Sequence, residues 1–224
     1  MLNAEFSLNT LLTALRQNGS GDPHPVFAGG LRYIPPSAKQ HVNREAFEEL
    51  SELGFTQGDG FTPEFEDILH LIDSPATALH GYARDETAQR GILVAARGRT
   101  VVSVVCLGGR VELKGVETSP EDALVANLPM WRPASIKPFS LPQKDFQEPQ
   151  DVSDIFDDAP ARSREAQELD ALLQQPYYGI GQLYAGQKEL SYLDLDAGRV
   201  GITLADGYIS VLPGEPNELS RRLQ

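Results

Sequence analysis

Cysteine is almost absent from this sequence of 224 residues, in which Cys106 stands alone. An intramolecular disulfide is therefore excluded, and so is a structural zinc site built from several cysteine ligands. Cys106 lies in the apolar run TVVSVVCL. That setting favours a buried, unreactive thiol over a nucleophile, which would need an exposed and electropositive surrounding.

Positive charge is also scarce. The chain has 19 Lys and Arg residues against 32 Asp and Glu residues, which gives a formal net charge of −13. Nucleic-acid-binding proteins need clustered Lys and Arg, and an acidic surface repels anionic lipid headgroups. We therefore expect no nucleic-acid partner.

Long apolar runs are missing as well. No stretch approaches the length of a membrane span, and the N-terminus lacks the basic and then apolar pattern of a secretory signal. Together with the single cysteine, these absences lead us to expect a cytoplasmic protein without membrane insertion.

Sequence motifs of catalysis and cofactor binding are missing too: the chain has no Walker loop, GxGxxG, HExxH or GxSxG. The closest approach to a ligand group is Asp67, His70 and Asp73, whose spacing does not aim three side chains at one point. Asp194 and Asp196 alternate along a predicted strand, which indicates a solvent face. We therefore predict a non-enzymatic protein that uses no cofactor and no metal.

The sequence does contain one pattern of predicted β-strands that occurs twice. ATALHGYARD and RGILVAARG predict two strands, and TVVSVVCL and RVELKGV predict two more around a Gly108 and Gly109 turn. YYGIGQLYAG, LSYLDLD, RVGITLA and GYISVLP repeat this order, with Asp206 and Gly207 at the matching turn. A Gly-Arg pair stands at a similar place in each block, as Gly98-Arg99 and Gly198-Arg199. A Pro-started helix follows each block, SPEDALVANL in the first and EPNELSRRL in the second.

Other helices are predicted from apolar residues at helical spacing and from capping residues. FSLNTLLTALRQNG has Ser7 as its cap and places Phe6 on the apolar stripe, while TPEFEDILHLID begins after the cap Thr62. SREAQELDALLQQ is helical from Ser163. NREAFEELSELG predicts a helix capped by Asn43, and VFAGGLRYIPP predicts a strand.

These elements predict an α+β fold in one domain of residues 1–224. Its central antiparallel β-sheet is built from two β-meander halves related by a pseudo-two-fold axis and flanked by α-helices. The halves cover about residues 1–130 and 150–224. Two independent meander domains are the alternative. Between the halves, residues 147–162 form an acidic linker with Asp151, Asp154, Asp157 and Asp158, either simply solvated or used as a charged docking strip.

Four stretches, taken in order, also carry a resemblance to a known family. They are LSELGFTQGDGFTPEFEDILHLIDSP, RGILVAARGRTVVSVVCLGGRVELKGV with the later ANLPMWRPASIKPFSLP, YYGIGQLYAG, and the tail YLDLDAGRVGITLADGYISVLPGEPNELSRRL. Over roughly residues 44–224 the chain resembles the EspG family of actinobacteria, cytoplasmic chaperones of type VII (ESX) secretion. The resemblance implies a quasi-two-fold α/β fold and a carrier that keeps PE/PPE-type helical-hairpin substrates soluble and monomeric until export.

The resemblance also implies a binding site. In that family a loop after an early sheet strand and helices of the second half hold the apolar helical tip of the substrate. The loop corresponds here to Asp85, Glu86, Thr87, Ala88, Gln89 and Arg90. A groove of apolar helix side chains would cover the tip, and the candidates are Ala123, Leu124, Ala166, Leu169, Leu172 and Leu173. Membership of the ordinary core is the other interpretation of each of these six.

Two other functions stay open at this level. The chain could be an adaptor that forms a homodimer through its sheet or helices and has no export client. It could also be an enzyme whose Asp67, His70 and Asp194 converge from distant segments.

Overall fold

The computed structural model describes residues 2–30, 33–147 and 162–224. Within them, ten strands form one antiparallel sheet and two form a small separate hairpin. The acidic residues Asp151, Asp154, Asp157 and Asp158 lie outside the described residues. The strands are β1 (Asn3–Ser7), β2 (Thr56–Gln57), β3 (Gly60–Phe61), β4 (Thr77–Asp85), β5 (Gln89–Arg97), β6 (Thr100–Leu107), β7 (Arg110–Val116), β8 (Phe139–Pro142), β9 (Tyr177–Ala185), β10 (Lys188–Leu195), β11 (Gly198–Ala205) and β12 (Tyr208–Pro213).

Side-chain caps fix where several helices begin. Ser7 and Thr62, as predicted, and also Ser119 and Ser163 each accept a hydrogen bond from a backbone N–H of the first helical turn. None of the described helices is long and apolar enough to span a membrane. The helices are α1 (Leu8–Gln17), α2 (Pro36–Glu52), α3 (Pro63–Asp73), α4 (Pro120–Ala126), α5 (Gln143–Gln147), α6 (Arg164–Leu173) and α7 (Pro216–Leu223).

The sheet joins the two halves through its centre. Its strand order is β1-β7-β6-β5-β4-β9-β10-β11-β12-β8, with β4 and β9 paired from Leu79 opposite Ala185 to Asp85 opposite Gly179. From that central pair toward each edge of the sheet, each half consists of a four-stranded meander followed by one edge strand. Two separate meander domains are therefore wrong, because one continuous sheet contains both meanders. The two-fold relation in space stays a prediction.

The two Gly-Arg pairs do not occupy equivalent positions, because they are offset by two residues relative to the turns. Gly98 and Arg99 form the turn between β5 and β6, since Arg97 pairs with Thr100. In the second half Leu195 pairs with Gly198, so that the turn is Asp196 and Ala197. Gly198 and Arg199 are therefore the first residues of β11, where Arg199 has a role that Arg99 does not share.

The N-terminal region differs from its prediction in three places. Phe6 lies in the edge strand β1, paired opposite Val111 of β7, and α1 begins only after Ser7. The predicted strand VFAGGLRYIPP includes residues 31 and 32, which lie outside the described residues, and its described part contains no strand and begins within a 3-10 turn over Pro25–Phe27. α2 begins at Pro36 rather than after Asn43, because the fixed φ of proline suits the first helical position.

Three apolar clusters pack on the two faces of the sheet. On one face α4 and α7 lie together over the central strands, where Leu124 and Leu219 are fully buried. On the other face α1 and α3 cover β5 to β7, and α6 covers β10 to β12. The second-face side chains of β4 and β9, such as Tyr82 and Ile180, are only half-buried or exposed.

A buried ion pair anchors the segment that leads from the first half to the second. Arg199 and Asp194 lie directly opposite on β11 and β10 and are 5% and 2% exposed. Two guanidinium nitrogens of Arg199 donate to the two Asp194 carboxylate oxygens at 2.6 and 2.8 Å. The guanidinium also lies 4.3 Å from the centre of the Tyr192 ring and donates to the Pro129 carbonyl oxygen at 2.7 Å. The solvent face expected for Asp194 is therefore wrong, because its carboxylate is enclosed and paired.

Close backbone approach explains the central glycines of β9. A Cβ atom on Gly181 would lie 2.3 Å from Cε1 of Tyr192 and 2.7 Å from the Tyr82 carbonyl oxygen. Tyr192 can lie flat against the sheet beneath α4 and α7 only because this position lacks a side chain.

Gly181→Ala is expected to lower the free energy of unfolding by about 1–3 kcal/mol, because the added methyl group displaces the buried Tyr192 ring. Urea unfolding at equilibrium measures this loss. Gly60→Ala is the matched control, since nothing lies within 4 Å of its added Cβ atom. Equal effects at the two positions would contradict the packing argument.

Arg199→Met is expected to cost about 3–5 kcal/mol, because it leaves the Asp194 carboxylate buried without a partner. The double variant with Asp194→Leu should regain part of that loss, since no uncompensated charge then remains. Thermal and urea unfolding test both variants. Arg221→Met, which breaks the exposed pair with Glu218, should change stability little. If Arg199→Met lowered the stability as little as Arg221→Met does, the anchoring role would be disproved.

Candidate functional site

The turn between β4 and β5 is held in one shape by Asp85. One oxygen of its carboxylate accepts hydrogen bonds from the Thr87 backbone N–H, the Thr87 hydroxyl and the Ala88 backbone N–H, at 2.7–2.8 Å. These bonds, led by that of the Thr87 hydroxyl, lower the pKa of Asp85. Glu86 and Thr87 are exposed at the tip. The loop predicted over residues 85–90 is thus shorter in the structure: Asp85 ends β4, Gln89 and Arg90 begin β5, and residues 86–88 form a preformed turn that presents two polar side chains.

Aromatic side chains surround this turn. Asp85 pairs opposite Gly179, so that Tyr177 and Tyr178 at the start of β9 stand beside the turn. The Tyr178 ring stacks on Trp131, with ring centres 5.3 Å apart, and its hydroxyl donates to Asp196 at 2.7 Å. That hydrogen bond and the Asp196 charge raise the pKa of Tyr178, and Glu86 adds to the shift.

Large apolar side chains are exposed beside the same turn. Met130 is 98% exposed and Tyr177 is 70% exposed. Trp131 is held by its indole N–H, which donates to the Leu195 carbonyl oxygen at 3.2 Å. We call this region, made of residues 85–88 with Met130, Trp131, Tyr177 and Tyr178, the loop end. Exposed large apolar groups in one region are typical of protein-binding surfaces.

A cavity of about 740 Å³ opens at the loop end, on the face that carries α4 and α7. Its lining is mainly apolar and comes from the end of α4, the segment after it and the start of α7. Arg199 forms part of its wall, so the anchoring ion pair also shapes this cavity. The lining residues are Val125, Ala126, Leu128, Pro129, Met130, Trp131, Arg132, Arg199 and Pro216.

The six predicted groove residues do not share one groove. Those of α4 pack beneath α7, and those of α6 cover the opposite face of the sheet. Leu173 alone among the six is exposed, by 41%. With Leu169 it lines a cavity of about 230 Å³ between α6 and the strands β11 and β12. The five buried members are Ala123, Leu124, Ala166, Leu169 and Leu172.

The structure separates the residues of the enzyme alternative. Asp67 and His70 are exposed on α3, whereas Asp194 is buried with Arg199 on the opposite face of the sheet. Burial raises the pKa of the Cys106 thiol to about 12, so this group stays protonated at neutral pH. Among the described residues, no three His, Cys, Asp or Glu side chains are grouped to hold a metal ion.

The sequence reasoning missed the aromatic part of the loop end. Met130 and Trp131 stand in a proline-rich stretch that gives no periodic signal. Tyr177 and Tyr178 were visible as a pair before the glycines of β9, and that pair was the available signal. Only the pairing of β4 with β9 brings the two segments to the same turn.

Comparisons with known proteins agree with this architecture. No curated protein matches the sequence. Among solved structures, the chain is similar to the Mycobacterium tuberculosis type VII secretion system chaperone EspG5, solved in complex with a PE25-PPE41 dimer. The TM-score is 0.70 at 14% sequence identity, over 99% of this chain and 94% of that one, and such a likeness shows a shared fold.

The sequence itself settles the family. The model of the EspG family matches residues 7–224, from the cap of α1 to the last residue of the chain. That match contains both meanders, the β4–β5 turn and the Arg199 anchor. This chain therefore belongs to the EspG family.

Proposed function

We propose that this protein is a non-enzymatic chaperone of type VII secretion. It binds the apolar helical tip of a PE/PPE-type client in the cytoplasm and keeps that client soluble and monomeric until export. Membership of the EspG family is the observation that carries this proposal. The fold shared with EspG5, which was solved with a PE25-PPE41 dimer, supports it.

The loop end supplies the surface that such a client needs. An exposed apolar helix tip drives self-association in water, and covering it with apolar side chains removes that drive. Met130 and Tyr177 are largely exposed there. Because Asp85 already fixes the turn, binding requires little additional ordering of the backbone at this position.

We assign direct client contact to residues 85–90, which comprise the end of β4, the β4–β5 turn and the first two residues of β5, and to Leu173. Leu173 is exposed at the end of α6, four residues before Tyr177, where β9 begins. The buried residues Ala123, Leu124, Ala166, Leu169 and Leu172 act through packing, since they hold α4 and α6 on the sheet. Glu86 at the tip of the turn suits a client with a Lys or Arg next to its apolar residues.

Co-expression with PE–PPE pairs encoded in the same genome tests the function. For at least one pair we expect a soluble complex with one copy of each of the three chains, measured by size-exclusion chromatography with light scattering. If every pair behaves the same with and without this chain, the chaperone function is wrong. A stable homodimer that binds none of the pairs would favour the adaptor function instead.

Tyr177→Ser is expected to weaken client binding about tenfold or more, because it removes an exposed aromatic ring at the proposed contact. Titration calorimetry with the purified pair measures the change. Tyr208→Ser is the matched control, since this tyrosine is 53% exposed at the first residue of β12, at the opposite end of the sheet. Equal affinities of the two variants would place the contact elsewhere.

A further inference from the structure

A short strap, residues 24–30, lies on the second face of the sheet where neither helix group covers it. Its turn Pro25–Phe27 contacts β4 and β5. Val26 and Phe27 are 7% and 1% exposed. A Cβ atom on Gly91 of β5 would lie 2.9 Å from Cγ1 of Val26, so the strap rests directly on the strand. The strap therefore covers part of the central strands through a single 3-10 turn that belongs neither to an α-helix nor to the sheet.

His24 holds the beginning of the strap through an unprotonated nitrogen. Its Nδ1 accepts a hydrogen bond from the Val26 backbone N–H at 3.2 Å. A protonated imidazole carries hydrogen on both ring nitrogens and cannot accept this bond. The cap of the Pro25–Phe27 turn thus exists only while Nδ1 of His24 carries no proton.

A second histidine lies against the first. The rings of His24 and His80 have centres 4.8 Å apart, and the His80 ring also stacks on Tyr184, with ring centres 4.8 Å apart. Two protonated imidazoles at this separation repel each other, and the half-buried position weakens the screening by water. The contact between the strap and β4 is therefore built from two groups that must both be neutral.

The side chains that face His80 from the neighbouring positions of the sheet are tyrosines. Tyr82 faces His80 from β4 and Tyr184 faces it from β9, while Glu189 of β10 interacts with the Tyr184 hydroxyl. β5 contributes Gly91 and Leu93, which do not titrate. Among the described residues, no ion pair forms with His24 or with His80: the histidine that pairs with a carboxylate is His41, on α2.

Burial, together with the charge of His80, lowers the pKa of His24, and burial lowers the pKa of His80. A histidine with a lowered pKa binds its proton more weakly in the closed state than in an open, solvated one. Such a histidine contributes fully to the stability of the closed state above the ordinary pKa of about 6.5. This stability declines as the pH falls below that value. Acidification thus favours an open strap.

We propose that His24 and His80 form a proton-operated latch, which keeps the strap on β4 and β5 at neutral pH and releases it in mildly acidic solution. Release exposes the buried side chains of Val26 and Phe27 and the face of the His80 ring that His24 contacts. This device is independent of client binding, because it involves no residue of the loop end.

Hydrogen exchange measured by mass spectrometry at pH 7.5 and pH 5.5 tests the latch on the full chain. After correction for the intrinsic exchange rate, peptides that contain Val26 and Phe27 should lose protection by about tenfold at the lower pH. Peptides from α3 and from β6 should keep theirs. Unchanged protection of the strap at pH 5.5 would overturn the proposal.

The variant His24→Asn distinguishes the effect of protonation from the effect of losing the capping hydrogen bond. The Asn carboxamide oxygen can accept the Val26 N–H bond and does not titrate, so this variant should keep the strap protected at both pH values. His80→Phe keeps a ring to stack on Tyr184 and removes the second charge, so it should lose less protection than the wild type. His41→Gln, at an exposed histidine of α2, should behave like the wild type. If His24→Asn and His80→Phe both lose protection as the wild type does, the latch is wrong.

Discussion

The enclosed ion pair of Arg199 with Asp194 is the constraint on which the arrangement of the second half depends. A buried charge needs a partner and further hydrogen bonds, and Arg199 has both. Its side chain bonds to the Pro129 carbonyl oxygen, and its backbone bonds to Arg132, Ala134 and Gly214. One residue thereby fixes the connecting segment, the start of β11 and the end of β12 relative to each other. Met130 and Trp131 reach the loop end because the segment on both sides of them is tied to Arg199.

The central strands of the sheet are covered differently on its two faces. On the first face, Gly181 allows the Tyr192 ring to lie flat under α4 and α7, so that this face is closed. On the second face, helices cover only the outer strands of each half, and β4 and β9 are left between them. The strap with His24 partly fills that gap. A closed face gives the sheet its stability, while the partly covered face leaves room for a segment that can move.

Much of the local structure could be predicted from the sequence. Ser7, Thr62, Ser119 and Ser163 mark helix starts, since a hydroxyl cap acts on backbone groups two or three residues away. The turns at Gly108 and Asp206 follow from the positive φ that these positions require. The prediction failed for β1 and for the turn at Pro25. A five-residue edge strand and a single turn carry too few residues for a periodic pattern, and what they pack against decides their form.

The amino-acid order by itself thus determined the fold class, the two meanders, most helix starts and the family, because each depends on short-range chemistry or on an ordered set of local motifs. Only the tertiary structure decided which distant groups meet. It paired Asp194 with Arg199 inside the protein, placed Trp131 on Tyr178, and brought His24 to His80. These contacts join residues up to 56 positions apart in sequence, and they depend on strand register and on the path of loops. A pattern along the chain cannot report such contacts, because the free energy that selects them comes from packing the whole sheet.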